Sequence, residues 1–484
     1  MSAPRRVVVI GGGIGGLTAA TRLAARGFSV DLFEQQPTLG GKMSRRSFDG
    51  CTFDTGPSLL TMPFVFEEFF ASVGTSLEQE LSLVRIDPQC RYHWSNGSTL
   101  NAHDSIDELS AAFATFNAAD AEAVRAYMEH ARRVYESTKD VFIFNDFAGI
   151  GEFFKWRNLP LIAELRSLRF TQTLHNLHTE YFRDERIIQL FDRFATYNGS
   201  SPYLAPATLM VIPHVERAFG AWYPMGGMYT VAEAYERVAR RHGVRMHTST
   251  SVHRILQRNG SVQGVALADG TIVEADHVIS NCDEYLTRTM LLGEKRSEPN
   301  DRSCSGYVMM MSVDKSLHGL AHHNVFFSND YRKEFNDIFS NRVHPADMTI
   351  YLSRSCHTDP SQAAPDRENW FLLMNAPATS DPAPERYADQ VLARLRTFGI
   401  DPNVRQLETI TSADIERNTM SYRGALYGSS SNSMFSAFLR PRMRSTRVRN
   451  LWYVGGSAHP GGGVPLVTIS GMLASDRISH STPL

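Results

Sequence analysis

Six consecutive residues, Gly11-Gly12-Gly13-Ile14-Gly15-Gly16, and the acid Glu34 eighteen positions past Gly16 have the types and spacing to hold a dinucleotide. The run follows the apolar stretch Val7–Ile10 and opens a helical pattern with Leu17, Ala20, Leu23 and Ala24 on one face. Each part has a physical task. Gly11 permits a tight turn out of the strand. Gly13, lacking Cβ, lets the backbone approach a pyrophosphate. Gly16 lets the helix lie close on the sheet. The free amides and dipole at the helix start, around Ile14 and Gly15, attract phosphate charge. Glu34 ends a second buried strand, Val30–Phe33, where a carboxylate can accept hydrogen bonds from an adenosine ribose.

A second set of candidates lies just beyond, in Gly40-Gly41-Lys42, Arg45 and Phe53-Asp54-Thr55-Gly56-Pro57-Ser58. A third lies near the other end, where Asn450–Val454 runs as a strand into Gly455-Gly456. Ser457-Ala458-His459-Pro460-Gly461-Gly462-Gly463-Val464-Pro465 follows, and a helix begins near Pro465, a position that needs no amide donor.

The elements that must position these residues follow from pattern. The 484 residues exceed one compact core, so two or three subdomains are expected. A net charge of −2 gives no global pull toward nucleic acid. The five scattered cysteines form no metal or redox pair and suit a reducing compartment. No run reaches the ~18 apolar residues of a membrane span. The expected place is therefore cytoplasmic. Residues 60–83 read as helical, with Phe64, Phe66, Phe69 and Phe70 as core or as cavity lining. Asn96-Gly97 turns a hairpin, and a helix starts near Asp104 or Ser105. Residues 141–182 mix aromatics such as Phe153, Phe154 and Trp156 with Arg157, Arg166 and Arg169, which suits either a helical subdomain packed on the rest or a helix in a lipid interface. Gly243 stops a helix, Val244–Leu256 alternates as one strand, and Asp269-Gly270 turns another hairpin. Strands are expected at Tyr307–Ser312 and Trp370–Asn375, and a helix at 385–398.

The basic residue after Gly40-Gly41, the Phe53–Ser58 stretch, Tyr223-Pro224-Met225-Gly226-Gly227-Met228 and above all His459–Pro465 resemble the bacterial-type phytoene desaturase family of the flavin amine oxidase superfamily. The resemblance covers nearly the whole chain. It implies an α/β fold: a Rossmann-like FAD-binding domain on a parallel sheet (1–95, 206–295 and 436–484), an inserted α+β substrate domain (96–140 and 296–435), and a helical, membrane-facing subdomain (141–205). It implies FAD and no metal. Cofactor contacts then fall to Gly11, Gly13, Ile14, Gly15, Gly16, Glu34, Gly40, Gly41, Lys42, Arg45, Gly56, Pro57, Ser58, Val252, Gly455, Gly456, Gly463, Val464 and Pro465. Val252 meets the adenine end through its backbone, and the last helix faces the N1–C2 edge of the flavin.

The implied substrate is a hydrophobic polyene, a carotenoid taken from the membrane. The implied place is peripheral on the inner face of the cell membrane, with oxygen or a quinone as the electron acceptor. Desaturation sends a hydride to the flavin and a proton elsewhere, and conjugated double bonds delocalise the charge left on the substrate. Positioning and exclusion of water are then the protein's main tasks. His459 is the candidate catalytic residue, either as proton acceptor or only as a hydrogen-bond partner of the loop backbone. Pro465-Leu466-Val467 tilts the reading toward a later intermediate, such as 3,4-desaturation of a 1-hydroxycarotenoid. The alternatives are a carotenoid isomerase, ketolase or terminal oxidase of the same family, a flavin amine oxidase, or a lipid carrier that keeps FAD for structure.

Overall fold

The computed structural model describes residues 5–146, 168–169, 171–299, 301–315, 319–433 and 440–481. The aromatic and basic stretch with Phe153, Phe154 and Trp156 lies outside them.

The first strand, Arg6–Ile10, is the centre of a five-stranded parallel sheet. Ser29–Phe33 and then Arg245–His247 lie on one side, and His277–Ser280 and then Leu451–Tyr453 on the other. Alternation splits its side chains between two cores. Val7 and Val9 face a helical layer, while Val8 and Ile10 face a small antiparallel sheet. The helical layer is Ile14–Ala25 between Tyr229–Arg241 and Val464–Ser481. The antiparallel sheet is Val252–Arg258, Ser261–Leu267 and Ile272–Glu274.

The expected single strand over Val244–Leu256 is therefore two. Arg245–His247 completes the parallel sheet, and Val252–Arg258 starts the other one. Ser249, at φ +51°, breaks the run between them. Phe66, Phe69 and Phe70 lie on helix Pro63–Ser72 and are fully buried beside Tyr235, onto which Phe69 stacks at 4.3 Å. They are core, each contributing about 1.5–3 kcal/mol by burial.

A seven-stranded mixed sheet forms the second body. Its order is Val404–Ile410, Ser305–Asp314, Arg367–Ala376, Ile350–Ser353, His323–Phe326, Cys90–His93 and Thr99–Ala102. The last two strands are the hairpin around Asn96-Gly97, so this sheet begins before residue 95. One face (Met309, Met311, Trp370, Leu372, Leu352) packs on helix Tyr387–Thr397. On the other face Val308, Met310 and Phe371 meet Cys51 and Phe53 of the nucleotide-side strand Cys51–Asp54. Helices Ile106–Ala114, Ala118–Phe142, Leu174–Tyr181 and Glu185–Asp192 pack on the Tyr92 and Val325 end of that sheet. Ser105 caps the first of them by accepting from the Glu108 amide. Among the described residues no helix is long and apolar enough to cross a membrane.

Candidate active site

The glycine turn is built by close contacts rather than by flexibility alone. Gly11 has φ +94°, and a Cβ on Gly16 would lie 2.2 Å from the Gly11 carbonyl oxygen. Gly13 is extended, with φ −71°, and its limit is steric: a Cβ there would lie 2.7 Å from Asn281 Nδ2. Gly15 serves the packing of two helices. Its Cβ would meet the Gly455 amide nitrogen at 3.1 Å and the Val467 carbonyl oxygen at 3.2 Å. No side chain caps helix Ile14–Ala25 and no acid stands in its first turn. Its orphan amides are thus left to an anion, which fits a pyrophosphate.

Glu34 is buried, and both of its carboxylate oxygens are engaged. Oε2 accepts from the Gly12 amide at 2.7 Å and Oε1 from the Gln36 amide at 2.9 Å. Each oxygen keeps acceptor capacity for a ribose hydroxyl. The Thr250 amide donates to the Glu34 carbonyl at 2.8 Å, which brings the start of the Val252 strand beside the ribose acid. Val252 itself is buried. Gly40 donates its amide to the Gly12 carbonyl at 2.9 Å, and a Cβ on Gly41 would lie 3.2 Å from Gly13 Cα. The pair has φ of +111° and +63° and lies directly on the phosphate turn.

Lys42 reaches the far side of this groove. Its Nζ donates to the Leu426 carbonyl at 2.6 Å and to the Ala425 carbonyl at 3.3 Å. Burial pushes its pKa down to about 8, while Asp283 pulls the other way. Arg45 pairs with Glu233 at 2.9 Å and lies over the Tyr229 ring at 5.0 Å. Gly56 lies against the Lys42 carbonyl, where a Cβ would be 2.0 Å away. Gly56, Pro57 and Ser58 are part-open, and Ser58 Oγ bonds the Tyr351 hydroxyl at 2.6 Å.

At the other end, Gly455 (φ +91°) sits where a Cβ would lie 2.6 Å from Asn281 Oδ1. Gly463 has φ +109°, and its would-be Cβ meets nothing within 4 Å among the described residues. The start of helix Val464–Ser481 is therefore uncovered by the described residues, while Val464 and Pro465 are buried behind it. Gly456 gives its carbonyl to Arg440 at 3.1 Å. Arg440 also donates to the Tyr427 carbonyl at 3.0 Å and to Asn198 Oδ1 at 2.5 Å. His459 is buried, and its Nε2 donates to the Asn145 carbonyl at 2.7 Å. Its own carbonyl accepts from Ser470 Oγ at 2.8 Å. Burial lowers its pKa below the usual histidine value, so the ring is held neutral.

One groove thus gathers Gly11, Gly13, Gly40, Gly41, Glu34 and Gly455, with Asn281 at its centre. Sequence reasoning passed over Asn281. It touches Gly13, Gly15 and Gly455 from the end of strand His277–Ser280, the edge where the two halves of the groove meet. Its only signal in the chain is its place just past a buried parallel strand.

The family model for flavin-containing amine oxidoreductases matches residues 14–479. The chain belongs to that family. Its cofactor is FAD, and it is an oxidoreductase. It is 33% identical to a 1-hydroxycarotenoid 3,4-desaturase of a Flavobacterium species over 99% of each chain. It is also 33% identical to a 4,4'-diaponeurosporene oxygenase of Staphylococcus haemolyticus, over 98% of this chain and 97% of the relative. Among solved structures, an oxidoreductase from Methanosarcina mazei aligns with a TM-score of 0.63 at 18% identity, covering 97% of this chain and all of the other. That likeness concerns the fold. Among the described residues no group of three or more His, Cys, Asp or Glu could hold a metal ion.

Proposed function

We propose that the protein is a FAD-dependent desaturase of an acyclic carotenoid, acting on a late, 1-hydroxylated intermediate at its 3,4 bond. The observation that carries this is the full-length likeness to a 1-hydroxycarotenoid 3,4-desaturase. Bound FAD supplies the hydride acceptor. The residues of the chain hold and orient it. The amides around Ile14 and Gly15 take the pyrophosphate, Glu34 the adenosine ribose, and the Val252 strand the adenine. Gly40-Gly41, Gly56, Gly455-Gly456 and the start of helix Val464–Ser481 let backbone lie against the ring system. Lys42, with its pKa near 8, is held by the Ala425 and Leu426 carbonyls at the far side of the groove.

His459 is assigned a positioning role. Its Nε2–H is committed to Asn145, and burial weakens it as a proton acceptor. The proton lost by the substrate then leaves without a dedicated strong base, which a conjugated cation permits. The polyene lies along the part-open Ser58, Tyr351 and Leu373 on the sheet face turned toward the nucleotide side.

The experiment is anaerobic incubation with hydroxylated and plain acyclic polyenes. Desaturation bleaches the flavin, gives a product two hydrogens lighter than the substrate and shifts its absorption to longer wavelength. A product without that mass change would refute the reading. A second reading, oxygenation of such a polyene, is favoured by the relatives named diaponeurosporene oxygenase and predicts gain of oxygen when the incubation is repeated with O2 as the oxygen source. Peripheral membrane binding belongs to the same proposal, because the substrate must come from a bilayer. Replacing Phe153, Phe154 and Trp156 with serine should then weaken binding to liposomes while FAD stays in place.

A further inference from the structure

On the sheet face turned toward the nucleotide side, three polar groups form a chain that a hydrocarbon does not need. Ser58 Oγ bonds the Tyr351 hydroxyl at 2.6 Å, and that hydroxyl bonds His323 Nδ1 at 2.7 Å. Ser58 comes from the loop after strand Cys51–Asp54, and the other two from neighbouring strands of the seven-stranded sheet. Around them the same face is apolar: Tyr351 pairs with Val325 on one side and with Leu373 on the other.

The buried end of this hydrogen-bond chain sets its direction. His323 is 1% exposed, and burial with Arg193 nearby holds it neutral. Its Nε2 is buried and, among the described residues, has no partner. A bare lone pair costs less to bury than an unpaired N–H, and the Arg193 cation favours the lone pair further. The single ring proton therefore sits on Nδ1 and donates to the Tyr351 oxygen. Tyr351 in turn donates to Ser58 Oγ. Ser58 is left with its own hydroxyl proton and, among the described residues, no acceptor for it. Ser58 and Tyr351 are the part-open members of the chain, and His323 is its closed end.

We propose that Ser58, oriented through Tyr351 and His323, donates a hydrogen bond to an oxygen substituent on the substrate, and so selects polyenes whose end near the flavin carries a hydroxyl or carbonyl. This rests on the polyene reading above and adds a specificity-determining contact to it. One satisfied buried hydrogen bond corresponds to about a tenfold preference.

The test compares two acyclic polyenes that differ only in one terminal hydroxyl, using the rate of anaerobic flavin bleaching at limiting substrate in the holoenzyme. The wild type should favour the hydroxylated polyene by about tenfold or more. Tyr351→Phe and Ser58→Ala should each bring that ratio close to one, with FAD content measured alongside. Equal bleaching by both polyenes in the wild type would overturn the inference and leave the desaturase reading intact. So would a preference that survives in both variants. Bleaching by neither polyene would overturn the desaturase reading and this inference with it. The wild-type comparison decides whether or not either variant folds.

Discussion

Gly13 fails to tolerate a side chain for a steric reason alone, since its backbone is ordinary and extended. Gly13→Val is therefore expected to fold and to lose FAD, because the branched side chain would push Asn281 out of the groove and cover the phosphate turn. Flavin absorbance per protein in purified material checks this, and normal occupancy would count against the cradle. Glu334 makes a different prediction. It is 1% exposed, and its Oε2 accepts from Ser328 and Thr349 while, among the described residues, Oε1 has no partner. Burial raises its pKa to about 7. The folded state thus binds the proton more tightly than the unfolded state, whose glutamate titrates near 4.3. Stability from this group is whole below about pH 4 and falls as pH rises to about 7. Glu334→Gln should flatten that slope and gain up to about 3 kcal/mol at pH 7.5, read from urea unfolding at two pH values.

At the scale of elements, the cofactor groove depends on how helix Ile14–Ala25 crosses helix Val464–Ser481. They meet through glycines: a Cβ on Gly471 would lie 2.5 Å from the Gly15 carbonyl oxygen and 2.6 Å from Thr18 Cβ. Arg22 reinforces the crossing by donating to the Met472 carbonyl at 2.9 Å and pairing with Asp476 at 3.1 Å. Gly471→Ala should cost about 1–3 kcal/mol by overpacking and lower FAD affinity, since both helix starts face the groove. A variant with unchanged stability and flavin titration would contradict this. The glycine–strand–acid unit was legible in the chain because each position answers a backbone demand that only a few residue types meet. The break at Ser249 was not, because Val244–Leu256 keeps its alternation through a residue whose positive φ leaves no mark in the sequence. Ser58, Tyr351 and His323 were not legible as a group either. They lie up to 293 residues apart, and only the pairing of strands His323–Phe326 and Ile350–Ser353 brings them together.

At the scale of the molecule, the proposed function has the two ends of the chain share one ligand. FAD should therefore stabilise the whole fold by mass action, with about 2.7 kcal/mol gained at a hundredfold excess over Kd. A thermal midpoint that does not move as FAD is titrated into stripped protein would refute a common site. The fold class was open to reading because the nucleotide unit is local. The seven-stranded sheet was only partly so, since its order joins strands from residue 90 to residue 410.

The central place of Arg6–Ile10 in its sheet also sets a timetable. One neighbour, Ser29–Phe33, is synthesised almost at once, but the other waits for residue 277 and the outermost strand for residue 451. A growing polypeptide therefore carries a greasy, half-paired ribbon through most of its translation, at about 5–20 residues per second. Capture of the vitamin-derived cofactor must come afterwards, and nascent molecules starved of riboflavin should lean on chaperones or be degraded.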